Sequence, residues 1–357
     1  MATKTSPCDW REQLQMGQVI PACPLTLNAD GSWSQRHQRA VVRYYAAAGA
    51  GGLAVGVHST QFAIRDPQHG LFEPVLRLVA EELDRIAAAT PQAAPLVRIA
   101  GICGQQHQAL TEARLAIQLG YHAGLLSLTA VSHEREEGIL EHCRRVAEVL
   151  PIIGFYLQPA VGGRVYSLAF WRRFCRIPAV VAIKIAPFNR YQTLDVVRAV
   201  IESGRDDIAL YTGNDDNIMV DLLTPFEFAG VRRYIVGGLL GQWGVWTRQA
   251  VELFSQLKLQ REAEQLPAWW LSRAAALTDA NAAVFDAANG FRGCIPGILE
   301  VLRRQGLAPS IRCLDPAETL SPGQAAELDR VTCQSPWLVD DAFVAANLQH
   351  WLGSQPF

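Results

Sequence analysis

Short apolar runs alternate with longer amphipathic stretches through most of the chain. The runs are Val19–Cys23, Gly52–Val57, Leu96–Ala100, Gly124–Leu128, Ile152–Tyr156, Ala179–Ile185, Ile208–Tyr211 and Tyr234–Val236. Most hold about four to seven residues rich in branched aliphatics, as strands buried on both faces of a parallel sheet do. Stretches of helical spacing lie between them, among them Gln35–Ala48, Leu71–Ala89, Gln105–Leu119, Glu134–Leu150 and Thr193–Ser203. Eight strand–helix units in about 240 residues is the size of a closed barrel. A doubly wound open sheet usually has fewer units and a Gly-rich first turn. The loop after the first run reads Pro-Leu-Thr-Leu-Asn-Ala-Asp-Gly instead. The pattern therefore predicts a (β/α)8 TIM barrel over residues 17–260, preceded by a polar segment, 1–16. Past Leu257 the alternation stops. Segments 267–288 and 294–305 read as helices, and the connection Leu314–Pro322 leads to two more. Residues 261–357 are thus expected to form a helical extension packed on the barrel by Trp337, Phe343, Leu348 and Trp351.

Composition narrows the class. Half the residues are hydrophobic and 18% are charged, which allows a sizeable core. A net charge of −2 without a basic run offers no footprint for nucleic acid. The eight cysteines form no CxxC pair and fit free thiols of a reducing compartment. The opening MATKTSPCDWREQLQMGQV has no apolar core of a signal peptide, and no apolar run reaches the roughly 18 residues that span a bilayer. A soluble, cytoplasmic protein that binds no membrane is the expectation. His107, His122, His133 and His142 lack metal-ligand spacing, so no metal is expected. Glu134-Arg-Glu-Glu reads as a solvated helix start.

Lys184 carries the most chemical information. It lies in Ala179-Val-Val-Ala-Ile-Lys-Ile-Ala, where no other side chain is polar. An ammonium in an apolar strand is costly, and burial lowers its pKa toward that of a nucleophilic amine. A strand-end lysine that reaches solvent or pairs with a carboxylate is the structural alternative. Tyr156 ends the strand one unit earlier, where a phenol could serve a carbonyl oxygen; it could equally pack at the rim. His58, Ser59 and Thr60 follow the second strand and offer donors for a carboxylate, though such residues also make ordinary turns. Gly213 with Asn214, and Gly237 in Gly237-Gly-Leu-Leu-Gly, allow close approach of a ligand to the backbone, and the Gly237 loop could also hold a phosphate at a helix start. Tight packing is their simpler use.

These residues resemble the dihydrodipicolinate synthase / N-acetylneuraminate lyase family of class I aldolases, from roughly Gly17 to Leu328. Phe155-Tyr-Leu-Gln-Pro resembles its YNxP strand and Ala182-Ile-Lys its GIK strand, at the family's usual separation. Gly213-Asn-Asp resembles the later GxD turn, and Gly306-Leu with Leu320-Ser-Pro the C-terminal helices. The resemblance implies that Lys184 forms the Schiff base and that Tyr156 transfers the proton. It further implies a lyase acting on a pyruvate-like 2-oxo acid without a cofactor, assembled as a homodimer or homotetramer. Departures point away from the synthase itself. The family's GTTGE turn is Val57-His-Ser-Thr-Gln here, small residues fill Thr129–Ser132 where an aromatic pair is expected, and Val161 replaces an arginine. A dehydratase or decarboxylase of a 2-oxo sugar acid, using the same imine, and a ligand-binding barrel without turnover are the alternatives.

Overall fold

The computed structural model describes residues 9–353. Eight parallel strands form the barrel: β1 (Val19–Pro21), β2 (Gly52–Val55), β3 (Val97–Ile102), β4 (Ala123–Leu126), β5 (Ile152–Leu157), β6 (Val180–Ala186), β7 (Ala209–Thr212) and β8 (Gly237–Leu240). Each of β2 to β7 pairs with the next in the chain, β8 pairs with β7, and β1 pairs with β8. One parallel bridge, Ala22 to Ala54, joins β1 to β2 and brings the ends of the sheet together. The predicted (β/α)8 barrel with added C-terminal helices is the observed fold.

Helices follow the strands on the outside: α2 (Gln35–Ala48), α3 (Phe72–Ala89), α4 (Gln106–Gln118), α5 (Glu136–Ala147), α6 (Leu168–Phe174), α7 (Arg190–Ser203), α8 (Ile218–Leu223) and α9 (Thr247–Gln260). Strand side chains alternate between two cores. On β6, Ala182 and Ala186 face the barrel interior, while Ile183 and Ile185 face the helices. On β5, Ile153 and Phe155 face inward, while Ile152 and Tyr156 face outward. A short helix, α1 (Trp10–Met16), closes the N-terminal end of the barrel. Its Leu14 joins the interior cluster, and the Tyr211 hydroxyl donates to the Leu14 carbonyl at 2.8 Å.

The eighth strand departs from the expectation. It is Gly237–Leu240, and Tyr234–Val236 only leads into it after an antiparallel hairpin, Phe226–Phe228 with Val231–Arg233. Glycine is depleted in strands, so two consecutive glycines read as a loop. They are required here by crowding. A Cβ on Gly237 would lie 2.6 Å from the Gln18 carbonyl oxygen and 2.8 Å from the Tyr211 ring, and one on Gly238 2.6 Å from the Trp243 ring.

The C-terminal helices are α10 (Trp269–Phe285), α11 (Cys294–Arg304), α12 (Gln324–Gln334) and α13 (Asp341–Leu352). α10 packs on α8, α11 and α12, and α13 lies along α2. Arg43 of α2 donates to the carbonyls of Trp351 and Gly353 at 2.8 Å each. The buried Asp340 accepts from the Tyr44 hydroxyl at 2.7 Å. No helix among the described residues is long and apolar enough to cross a membrane.

Candidate active site

A cavity of about 110 Å³ opens at the C-terminal ends of the strands, the end where barrels of this type carry their sites. Lys184 rises into it from β6, between the inward-facing Ala182 and Ala186. Gly213 at the end of β7 makes room for that side chain: a Cβ there would stand 2.6 Å from Lys184 Cε. The Lys184 amine has no hydrogen-bond or ion-pair partner among the described residues. Its Nζ lies 4.5 Å from the centroid of the Phe155 ring. Burial lowers its pKa, and the carboxylate of Asp215 partly opposes that.

Phe155, not Tyr156, accompanies the lysine. In the parallel pair β5–β6, Phe155 stands in register with Lys184 and Tyr156 with Ile185, so Phe155 shares the inner face and Tyr156 the outer. The Tyr156 ring is fully buried, 4.9 Å from Trp171 and 5.9 Å from Tyr166 between centroids. Its hydroxyl accepts from the Tyr166 backbone N–H at 3.4 Å, and burial pushes its pKa up to about 12. The expectation that Tyr156 faces the substrate is corrected by this parity. The motif matched along the chain, but the strand turns the matching residue away.

The turn after β2 divides its three residues. His58 and Ser59 line the cavity. Desolvation at the cavity wall and then the charge of Lys184 draw the His58 imidazole below its usual range, although the residue remains exposed to solvent. Ser59 Oγ donates to the Ala22 carbonyl at 3.0 Å. Thr60 is fully buried and does not reach the cavity. Its hydroxyl donates to the Cys23 carbonyl at 2.6 Å and accepts from the Gly56 and Val57 amides, which pins the turn to the end of β1.

Two further placements differ from expectation. Asn214 points outward and is buried. Its Oδ1 accepts from Phe188 N at 3.0 Å and its Nδ2 donates to Asp221 Oδ2 at 2.9 Å, so it ties together the loops after β6 and β7. Gly237 starts β8, pairs with Tyr211 and does not line the cavity. The glycine that lines the cavity is Gly241, at the other end of that strand.

Asp215, one residue past Asn214, returns to the cavity side. Its Oδ1 is buried without a hydrogen-bond partner. Burial raises its carboxyl above the ordinary range, and the charge of Lys184 opposes the rise. Counting alternate residues from Gly213 would have singled out Asp215 in the sequence. Apart from Gln158, the remaining wall is apolar: Phe62, Leu157, Phe188, Phe285, Phe291 and Ile298 are prominent in it, with Cys294 beside them. Phe188 and Phe291 both hold left-handed backbones (φ 52° and 66°), and their rings meet edge to face at 6.0 Å. Such strain in non-glycine residues concentrates at functional sites. Phe285 to Ile298 belong to the C-terminal helices and their connection, for which local sequence carries no signal of a site. No group of three or more His, Cys, Asp or Glu side chains suited to a metal ion occurs among the described residues.

No protein-family model matches the sequence. The 4-hydroxy-tetrahydrodipicolinate synthase of a Cyanothece species is 28% identical over 140 residues, which cover 38% of this chain and 46% of that relative. The match thus spans about half the length of the relative. Solved structures match far more of the chain. Dihydrodipicolinate synthase from Thermotoga maritima superposes with a TM-score of 0.71 at 19% identity, covering 90% of this chain and 99% of the other. A prophage protein of the dihydrodipicolinic acid synthase family from E. coli K12, in complex with pyruvate, gives 0.71 at 16%, with coverage of 90% and 99%. N-acetylneuraminate lyase from Fusobacterium nucleatum gives 0.68 at 15%, with coverage of 91% and 100%. From the first strand to the C-terminal helices, this chain shares the fold of the dihydrodipicolinate synthase / N-acetylneuraminate lyase family.

Proposed function

We propose that the protein is a class I lyase of that family, whose Lys184 forms a Schiff base with a 2-oxo acid and whose reaction makes or breaks a carbon–carbon bond. One observation carries the reading: a lone amine, lowered in pKa by burial, stands at the C-terminal end of a barrel strand inside an apolar cavity. The neutral amine attacks the C2 carbonyl, the carbinolamine loses water, and the protonated imine then draws electrons from the adjacent carbon. His58 at the turn after β2 lines the cavity and would meet the substrate carboxylate as a neutral donor, while the Ser59 hydroxyl stays committed to the Ala22 carbonyl. The structurally similar prophage protein that binds pyruvate supports the choice of a 2-oxo acid. The aromatic wall from Phe62 to Phe291 suits an apolar aldehyde better than a polyhydroxylated one, since it offers few partners for hydroxyls. A homo-oligomer working in the cytoplasm completes the proposal.

Borohydride reduction in the presence of pyruvate, followed by peptide mapping, tests the reading. A reduced pyruvyl adduct on Lys184 is expected, and Lys184→Ala should abolish both adduct and turnover while the protein stays folded. An adduct elsewhere, none at all, or substantial turnover in Lys184→Ala would overturn it.

A further inference from the structure

An imine lyase of this kind moves one proton twice. As the C3–C4 bond of the substrate breaks, its electrons pass into the enamine and the C4 hydroxyl gives up its proton, leaving an aldehyde. The proton then returns to C3, and hydrolysis of the product imine consumes the water that was released when the first imine formed. The carrier must reach the cavity beside Lys184 and exchange its proton near neutral pH. Tyr156 lies behind the strand and Phe155 has no hydroxyl. Ser59 is engaged by the Ala22 carbonyl, burial pushes the Cys294 thiol far up, and the Gln158 amide does not titrate. His58 and Asp215 remain.

Resting on the lysine reading above, we propose that Asp215 is the proton carrier, taking the place of the phenol that this cavity lacks. Its Oδ1 is buried and unpartnered, whereas buried acceptors are nearly always satisfied, so that oxygen is uncommitted until a substrate hydroxyl arrives. Its loop is held from above by α10. Asn281 Nδ2 donates to the Asp215 carbonyl at 2.6 Å, and Thr278 Oγ1 to the Asp216 carbonyl at 2.8 Å. A fixed backbone beneath a carboxylate with one uncommitted oxygen is the arrangement a proton relay needs. The groups that bear on its charge are Lys184 from β6, Asp216 in its own loop, the Gln242 backbone N–H after β8 and Cys294 from α11. Burial outweighs the pull of the lysine and raises the carboxyl toward neutrality, and Asp215 presents a buried, unpartnered oxygen where His58 stands exposed to solvent.

The partial reaction that isolates this step is exchange of the pyruvate methyl protons in deuterium oxide, followed by NMR, because it needs the imine and a C3 base but no aldehyde. Asp215→Asn should slow exchange by about 10²–10⁴-fold, the usual worth of positioned acid–base chemistry, while borohydride trapping on Lys184 persists. Asp215→Glu should recover part of the exchange, and the pH dependence of exchange seen in the native enzyme should flatten in Asp215→Asn. Near-native exchange in folded Asp215→Asn overturns the proposal and leaves the lysine reading standing. Loss of trapping together with exchange in that variant also overturns it, because Asp215 would then act on imine formation. So does a pH dependence that survives in Asp215→Asn and vanishes in His58→Gln. Failure of the native protein to trap pyruvate at all sinks the lysine reading instead.

Discussion

A side chain's chemistry in a strand depends on which face it takes, and Tyr156 shows how much turns on one position. Its hydroxyl accepts one long hydrogen bond behind the barrel wall, so Tyr156→Phe should cost about 1 kcal/mol of stability and change turnover less than about threefold. Denaturation curves and steady-state rates on the same preparation would check both. Gly213 gives the opposite case, a residue with no chemistry that the site depends on. In Gly213→Ala the new methyl would meet Lys184 Cε at 2.6 Å and Ala186 Cβ at 2.8 Å. The lysine must then bend, and borohydride trapping with pyruvate should slow at least about tenfold, as small misplacements of a reacting group do. Lys184 was legible in the sequence because one polar residue in an apolar strand stands out. Asp215 and Phe155 were not singled out, because their roles follow from counting alternate residues, and the register of β5 on β6 shifts between Ile152 and Ile153.

Between elements, buried ion pairs hold the site's scaffold. Arg65 in the turn after β2 pairs with Glu112 of α4 at 2.9 Å and donates to the carbonyls of Gly56 and Gly101 at the ends of β2 and β3. Both side chains are nearly inaccessible, and removing one leaves the other charge unpaired. Arg65→Met should therefore cost about 3–5 kcal/mol and the double variant with Glu112→Leu less, a difference that urea titrations can resolve. Glu82 of α3 supplies a pH dependence. Burial raises its carboxyl, but hydrogen bonds from Arg43 and Arg39 of α2 outweigh that and hold it below its ordinary value of 4.5. Its folded pKa lies below its unfolded one. Its contribution is thus complete above the unfolded value and is lost as pH falls through the folded one. Native stability should drop below about pH 4.5 more steeply than that of Glu82→Gln, as measured by urea midpoints across the acid range. At this scale α2 was read from sequence with both its ends, because a clear apolar stripe finishes at Gly49. β8 was displaced, because its glycines answer to Gln18, Tyr211 and Trp243, which lie far away in sequence.

In the whole molecule, the C-terminal helices are part of the site. Phe285, Phe291 and Ile298 roof the cavity. If the acceptor aldehyde lies beneath them, Phe291→Ala should raise KM for an aromatic or branched aldehyde at least about tenfold and leave pyruvate trapping intact, as paired kinetic and trapping assays would show. The barrel and its appended helices were legible as periodicity, but nothing local in residues 267–305 marks them as walls of a cavity. The closure of the sheet has a further consequence, which concerns order in time. The main hydrogen-bonded partner of β1 is β8, near the far end of the barrel sequence, and its link to β2 is a single bridge. The last helix, α13, lies on α2, one of the earliest. While the ribosome makes this chain, the first strand lacks its main partner until residues 237–240 are made, and a growing sheet from β2 to β7 has its β7 edge unpaired and its β2 edge met by a single bridge. Such edges invite misassembly until they are covered. Translation is therefore a period of exposure that ends only when the last strand emerges and the beginning of the chain closes against it.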